Sequence, residues 1–221
     1  MKVGAVIVAA GRGVRAGGDT PKQWRTLAGA TVTEHTIRAF SQHPRIGPIT
    51  VVLHPDDIDA AHVPQLDGVT IVSGGNTRSA SVLAGLESLN DRVEKVLIHD
   101  AARPCVSKRI ISDVISALET HAAAAPAIPV VDALWTGADG LVTGTADRQG
   151  LFRAQTPQGF DLSSILLAHR QFPEGAADDV ELARRNGMEV VITEGSENNL
   201  KITSPADFLR AETILRMNNG H

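Results

Sequence analysis

The chain has no tyrosine, a single cysteine (Cys105) and only 3% aromatic residues in 221 positions. One cysteine excludes an intrachain disulfide and a cysteine-rich metal site. With so few aromatic rings the core has to be aliphatic and rich in alanine, and the 43% hydrophobic content is enough to build one. No apolar run is long enough to span a bilayer. The N-terminal apolar run is short and passes directly into glycines, so no signal peptide is expected. Positive charge is not in excess either. The net charge of −4 argues against a general nucleic-acid or membrane partner and leaves the basic residues as local features. Repeats and low-complexity tracts are absent, apart from a brief alanine run in 121–125 that reads as the end of a helix. These absences describe a soluble, cytoplasmic protein, and 221 residues suit one domain carrying an insertion.

What the chain does have is concentrated near its start. Val3–Val8 is a short β-branched run, as a buried parallel strand requires. It opens into Ala9, Ala10, Gly11, Gly13, Ala16, Gly17 and Gly18, with Arg12, Arg15 and Lys22 spaced around them. Small residues let backbone N–H groups approach a phosphate, and the cations match its charge. The pattern reads as a polyphosphate cradle at the carboxyl end of the first strand. It is not a P-loop, because Gln23 follows Lys22 where Ser or Thr is required. Gly11-Arg-Gly13-Val-Arg-Ala16 matches the dinucleotide fingerprint formally. The residues after it form a loop through Pro21 rather than a helix, and no acidic residue ends a second strand at the right distance.

Strand-like and helix-like segments then alternate. Ile49–Leu53, Val69–Val72 and Lys95–His99 read as strands. Thr33–Phe40, the stretch carrying Val82, Leu83, Leu86 and Leu89, and the stretch carrying Ile110, Ile111, Val114, Ile115 and Leu118 read as helices, with Asn76 a candidate N-cap for the second. This rhythm predicts an α/β fold with a mostly parallel sheet covered on both faces. It breaks at 132–157, where Leu134-Trp135 and Leu141–Thr143 flank Gly137–Gly140 as a β-hairpin arm. A two-stranded hairpin is marginal alone, so the arm is expected to pack on a partner subunit. Helices are expected at 161–172 and 178–186, a strand at 188–193, and a last helix beginning with Ser204 as N-cap and Pro205 at N1.

Ala9-Ala-Gly-Arg-Gly-Val-Arg15 followed by Pro21-Lys22-Gln23 resembles the signature of cytidylyltransferases acting on 2-C-methyl-D-erythritol 4-phosphate, and later segments match in the same order over nearly the whole chain. The resemblance implies a Rossmann-like, mostly parallel sheet flanked by helices, with a β-hairpin arm for dimerisation. It implies transfer of CMP from CTP to the polyol phosphate, with release of pyrophosphate. The attacking phosphate is already an anion, so the reaction needs alignment and charge neutralisation more than a base. Arg15 and Lys22 match the family's conserved cations and are candidates for stabilising the transferring phosphoryl group. Ala9, Ala10, Gly11 and Gly13 would hold the triphosphate. Gly74–Ser81 matches the base-reading segment, with Gly75, Asn76 and Ser81 toward cytosine, although Asn76 stands where the family usually has Asp.

His99-Asp100-Ala-Ala-Arg103-Pro104 is the second strong match. Asp100 is expected to hold Mg²⁺, substrate hydroxyls, or both, since Mg²⁺ favours carboxylate, phosphate and water oxygens. Arg103 either binds substrate or partners Asp100, and His99 reads as a packed strand residue. Asp147-Arg148 and Ala154–Gln158 match the substrate-phosphate segment, so that Arg148 would clamp the polyol phosphate from the neighbouring subunit of a homodimer, with Thr156 beside it. Lys201, in Asn199–Thr203, would position the phosphate nucleophile. Two departures stand out. Ala133 replaces a family Thr, and Ala177 lacks a Thr often found before the acidic pair. Ala133 keeps a ribitol-phosphate cytidylyltransferase as an alternative. A non-catalytic nucleotide-binding module is a further one, against which the joint presence of Arg15, Lys22, Asp100, Arg148 and Lys201 argues. In some relatives a cyclodiphosphate synthase domain follows, and none is expected within these 221 residues.

Overall fold

The computed structural model describes residues 1–11, 20–60 and 64–218. Its main sheet is centred on β1 (Val3–Val8), which pairs in parallel with β4 (Ile49–Leu53) on one side and β6 (Lys95–Asp100) on the other. Beyond β4 lies β5 (Thr70–Ser73), also parallel. Beyond β6 the direction reverses at β11 (Gln158–Asp161) and returns at β7 (Ala123–Pro129), whose outer edge carries β12 (Val190–Glu194) in parallel. β10 (Phe152–Ala154) shares the β11 side of β7. Ala127 pairs with Ala154 on that edge and with Glu194 on the other, as Ala124 pairs with Gly159 and Val191.

The period of two along the strands sorts side chains between two helical layers. Ala5, Ile7, Val51 and Leu53 face a cluster with Phe40 of α1 (Val32–Ser41) and Ile111, Val114 and Ile115 of α3 (Lys108–Ala117). Val6 and Val52 face the other cluster, with Leu86 of α2 (Arg78–Ser88), Ile165 of α4 (Leu162–Gln171) and Leu182 of α5 (Asp179–Arg185). Each of the larger of these side chains, fully removed from water, contributes about 1.5–3 kcal/mol. α2 lies so close to the sheet that a Cβ on Gly85 would stand 2.5 Å from Val6 Cγ1. A third cluster joins α6 (Pro205–Asn218) to the two-residue strands β2 (Thr26–Leu27) and β3 (Ala30–Thr31), through Leu27, Ile202 and Leu215. No helix among the described residues is long and apolar enough to cross a membrane.

Three sequence expectations are corrected. The alanine run at 121–125 is not a helix end: α3 stops at Ala117, and Ala123–Pro129 forms β7, where Ala123 and Ala124 are fully buried. Space between the helical layers, rather than helix propensity, decides that segment. The N-cap of α2 is Thr77, whose hydroxyl accepts from the Ala80 N–H at 3.0 Å, not Asn76. As expected, α6 opens at Pro205 with Ser204 directly before it, and Asp207 Oδ2 accepts from both the Ser204 N–H and its hydroxyl. The hairpin arm is shorter than 132–157. It is built by β8 (Leu134–Ala138) and β9 (Leu141–Ala146), and the chain has rejoined the main sheet by β10.

The chain runs outward from β1 through β4 to β5, then crosses back to β6 on the other side of β1. That reversal opens a crevice at the carboxyl ends of β1 and β6, where open α/β sheets bind ligands.

Candidate active site

The crevice is a cleft of about 630 Å³. Four strand ends build its floor and walls: Val8–Gly11 after β1, His54–Asp56 after β4, Gly75–Arg78 after β5, and Asp100–Ala102 after β6. Lys22, Gln23, Ser81 and Lys201 complete the lining. Ala9, Ala10, Gly11, Gly75, Asn76, Ser81, Lys22, Asp100 and Lys201, all chosen from the sequence, therefore share one cavity. Arg15 and Gly13, like Arg12, lie outside the described residues.

The β1 end is held open by Gln23. Its side-chain amide donates to the carbonyls of Ala9 (3.0 Å) and Gly11 (2.7 Å), and the residue is buried. Among the described residues, a Cβ on Gly11 would meet nothing within 4 Å. Gln23 is quoted in the sequence motif, but this role is visible only in three dimensions. Lys22 Nζ donates to the Ile202 carbonyl at 2.6 Å, tying the cradle to the segment that carries Lys201.

The β5 end is equally constrained. Ser81 Oγ accepts from the Gly75 N–H at 3.2 Å and lies 2.9 Å from the Thr77 carbonyl. Ser81 is buried, so its hydroxyl shapes the turn and leaves the turn's backbone and Asn76 to face the cleft. A Cβ on Gly74 would stand 2.8 Å from both Ala10 Cβ and Ser81 Oγ, which shows how closely the two loops approach.

Asp100 is the electrostatic centre. Lys201 Nζ is 2.7 Å from Oδ2, Arg78 Nε is 3.6 Å from Oδ1 and Arg103 Nε is 3.9 Å from Oδ2. Burial alone would favour the neutral acid, but Lys201, Arg78 and Arg103 outweigh it and hold the carboxyl well below the usual carboxylate range. Its neighbour His99 is fully buried. Burial lowers its pKa to about 4, so it is neutral near pH 7. Nε2 lies 3.2 Å from the Arg103 carbonyl and must donate there, which leaves Nδ1 to accept from Thr156 Oγ1 at 2.9 Å. Thr156 Oγ1 in turn accepts from the Asp100 N–H at 3.3 Å.

These bonds give structural contacts to two of the residues proposed for substrate, Thr156 and Arg103. Thr156 is buried, and its hydroxyl is consumed in fixing the Asp100 backbone. Arg103 is a brace: Nη1 donates to the Asn199 carbonyl at 2.7 Å and Nη2 to that of Ala154 at 3.5 Å. Arg148 is expected from a neighbouring subunit, and within its own chain it is not part of the cleft lining. It is exposed near the base of the arm, where its guanidinium donates to the Val131 carbonyl. Sequence reasoning passed over Arg78. Its signal was a cation in the first turn of α2, where the helix dipole disfavours one. Its pKa is raised: burial opposes its charge, but Asp179 and Asp100 more than compensate.

A family model for 2-C-methyl-D-erythritol 4-phosphate cytidylyltransferase matches residues 3–217. The chain is 67% identical over 221 residues to a protein of that name from Roseobacter denitrificans, covering all of both chains. It is 59% identical to a bifunctional enzyme IspD/IspF from Paracoccus denitrificans, over 98% of this chain and 58% of that one. Among solved structures, the 2-C-methyl-D-erythritol 4-phosphate cytidylyltransferase from Thermus thermophilus superposes with a TM-score of 0.83 at 32% identity, over 98% of this chain and 100% of that one. A glycine-lined cleft at the switch point of a parallel sheet, the cations gathered around Asp100 and these full-length matches lead to one conclusion: the chain belongs to the 2-C-methyl-D-erythritol 4-phosphate cytidylyltransferase family.

Proposed function

We propose that this cleft transfers CMP from CTP to 2-C-methyl-D-erythritol 4-phosphate. A phosphate oxygen of the polyol substrate forms a bond to the α-phosphorus, the α–β bridge breaks, and pyrophosphate leaves with the electron pair. The observation that carries the reading is the ionised Asp100 with Lys201 on its carboxylate, in one cavity with Lys22 and the Gly75–Ser81 turn. The loop after β1 and Lys22 hold the triphosphate, Arg15 shares that task, and the Gly75–Asn76 turn meets the base. Lys201 aligns the incoming phosphate. These groups act by positioning and by fixed charge, which cost no reorganisation during the reaction.

The residues present suit Mg²⁺ shared with substrate. Among the described residues no group of three or more His, Cys, Asp or Glu could hold a metal ion. A single ionised carboxylate suits an ion whose other ligands are phosphate oxygens and water. Asp100 Oδ1 makes no hydrogen bond to a described residue and would be the ligand atom. Bound there, the ion would neutralise charge on the triphosphate.

The arm supports a homodimer. Trp135, Leu141 and Val142 are 69%, 73% and 59% exposed, and β8–β9 is a separate two-stranded sheet. A partner covering these side chains would also receive Arg148, which its own chain does not bring to the cleft lining.

Pyrophosphate release tests the reaction. CTP with 2-C-methyl-D-erythritol 4-phosphate is expected to give product, and ribitol 5-phosphate little. The reverse preference would make Ala133 a specificity change and overturn the substrate assignment. Full activity in excess chelator would remove the metal from the scheme.

A further inference from the structure

The charged groups behind the cleft include a buried pair that the reaction scheme above leaves without a role. Asp179, on α5, and His169, on α4, are 1% exposed. His169 Nε2 is 3.2 Å from Asp179 Oδ1, and His169 Nδ1 is 3.1 Å from Ser79 Oγ on α2. The other carboxylate oxygen, Asp179 Oδ2, accepts from Arg78 Nη2 at 2.7 Å. Gln158 Oε1 accepts from the Asp179 N–H at 3.1 Å and so fixes the start of α5 against β11. The Arg78 guanidinium thus bridges two carboxylates, with Asp179 on Nη2 and Asp100 facing Nε.

Arg78 is also the first residue of α2, directly after the N-cap Thr77 and the Gly75–Asn76 turn. The helix start that shapes the nucleotide end of the cleft therefore reaches across to Asp100 at its other end. We propose that Arg78 is a positioning residue that orients Asp100 for the polyol phosphate, and that His169 and Asp179 are the buried anchor holding it there. A planar fork is needed for this, because a lysine ammonium cannot engage both carboxylates in fixed geometry. A buried carboxylate without its cation is costly, so Asp179 also keeps Arg78 from turning out toward solvent. The inference rests on the assignment of the cleft to CTP and 2-C-methyl-D-erythritol 4-phosphate.

The test compares Arg78→Gln, Arg78→Lys and Asp179→Asn with the parent enzyme. CTP binding is measured by calorimetry without divalent metal, so that the metal-ligand role of Asp100 does not enter, and kcat and KM for the polyol phosphate by pyrophosphate release. The expected result is a fall in kcat/KM for the polyol phosphate of about 10- to 100-fold, the usual cost of losing an outer-shell partner. CTP affinity should stay within about threefold, less than 1 kcal/mol on the tenfold-per-1.4-kcal/mol scale, and Arg78→Lys should not rescue. Unchanged kinetics for Arg78→Gln, or an equal loss in CTP binding, overturns the proposal. So does full rescue by lysine. If Arg78→Gln does not fold, Asp179→Asn, which keeps an acceptor in place, carries the same two outcomes. A parent enzyme inactive with both substrates would instead defeat the cleft assignment itself.

Discussion

The cleft and the arm solve opposite problems. Around the cleft, polar groups are buried and spoken for: Gln23, Ser81, His99, Thr156 and Asp179 each hold a backbone group or another side chain in one place. Along the arm, apolar groups are exposed, and only the β8–β9 ladder orders them. The cleft is complete in its preorganisation but receives no Arg148 from its own chain. Arg148 follows at the base of the arm, which has no buried face of its own. Rigidity within one chain sets charge positions, whereas the exposed apolar surface points to assembly as the means of completing the site.

The comparison breaks most sharply at the cleft's cations. Lys22→Ala is expected to lower kcat by about 10²–10³, the usual cost of losing a preorganised charge at a developing anion. CTP binding should change far less, since such an interaction is made chiefly in the transition state. Steady-state kinetics decide it. A near-normal kcat with only a raised KM for CTP would reduce Lys22 to a ground-state binder.

A smaller effect is expected where two cleft loops touch. Gly74→Ala puts a methyl group 2.8 Å from Ala10 Cβ and Ser81 Oγ. Overpacking of this kind costs about 1–3 kcal/mol. Here it should appear as a KM for CTP raised by about tenfold, because the displaced groups line the nucleotide end. An unchanged KM would mean that the turn tolerates movement and that the cleft is less rigid than its hydrogen bonds imply.

How much of this was legible beforehand divides along the same line. The strands around β1 and the cleft residues from Ala9 to Lys201 announce themselves through β-branched runs, glycines and cations at fixed places. Those are local signals. Arg103 and Thr156 belong to segments that match the substrate-binding pattern, and nothing in the linear sequence shows that Arg103 Nη1 and the Thr156 hydroxyl are engaged by Asn199, His99 and Asp100. The alanine run at 123–125 misled for a related reason. Alanine favours helix intrinsically, but small side chains are also what a crowded central strand needs. Arg78 and Asp179 are 101 positions apart, and no local pattern announces such a pair.

The arm is tested by complementation. Arg148→Ala and Lys22→Ala homodimers should each be nearly inactive. After subunit exchange, about half of the dimers would be mixed, and each would hold one intact site, so activity should recover to about a quarter of the parent's under symmetric pairing. No recovery after exchange is verified would place Arg148 in its own chain's site and make the arm a structural feature only.

A further effect is on stability, and it belongs to the cleft side alone, because the arm buries no titratable group. His99 has a pKa lowered to about 4 by burial, from the ordinary 6.5. Between those two values the unfolded chain binds a proton that the folded chain refuses. Stability therefore falls as pH drops through that window, by up to about 3 kcal/mol once below it. His43 shifts in the same direction, also through burial, and adds to the slope. Asp100 and Asp179 act elsewhere. Their folded pKa values lie below the ordinary carboxylate value, so what they contribute is retained down to more acid conditions. His99→Gln replaces the ring with an uncharged amide. It should lower stability at pH 7 by about 1–3 kcal/mol through imperfect hydrogen bonding, yet flatten the dependence between pH 6.5 and 4. Denaturant melts across that range measure both quantities. If the variant keeps the parent's slope, the proton uptake belongs to another group, and the His99–Thr156–Asp100 chain is held together by something other than a neutral imidazole.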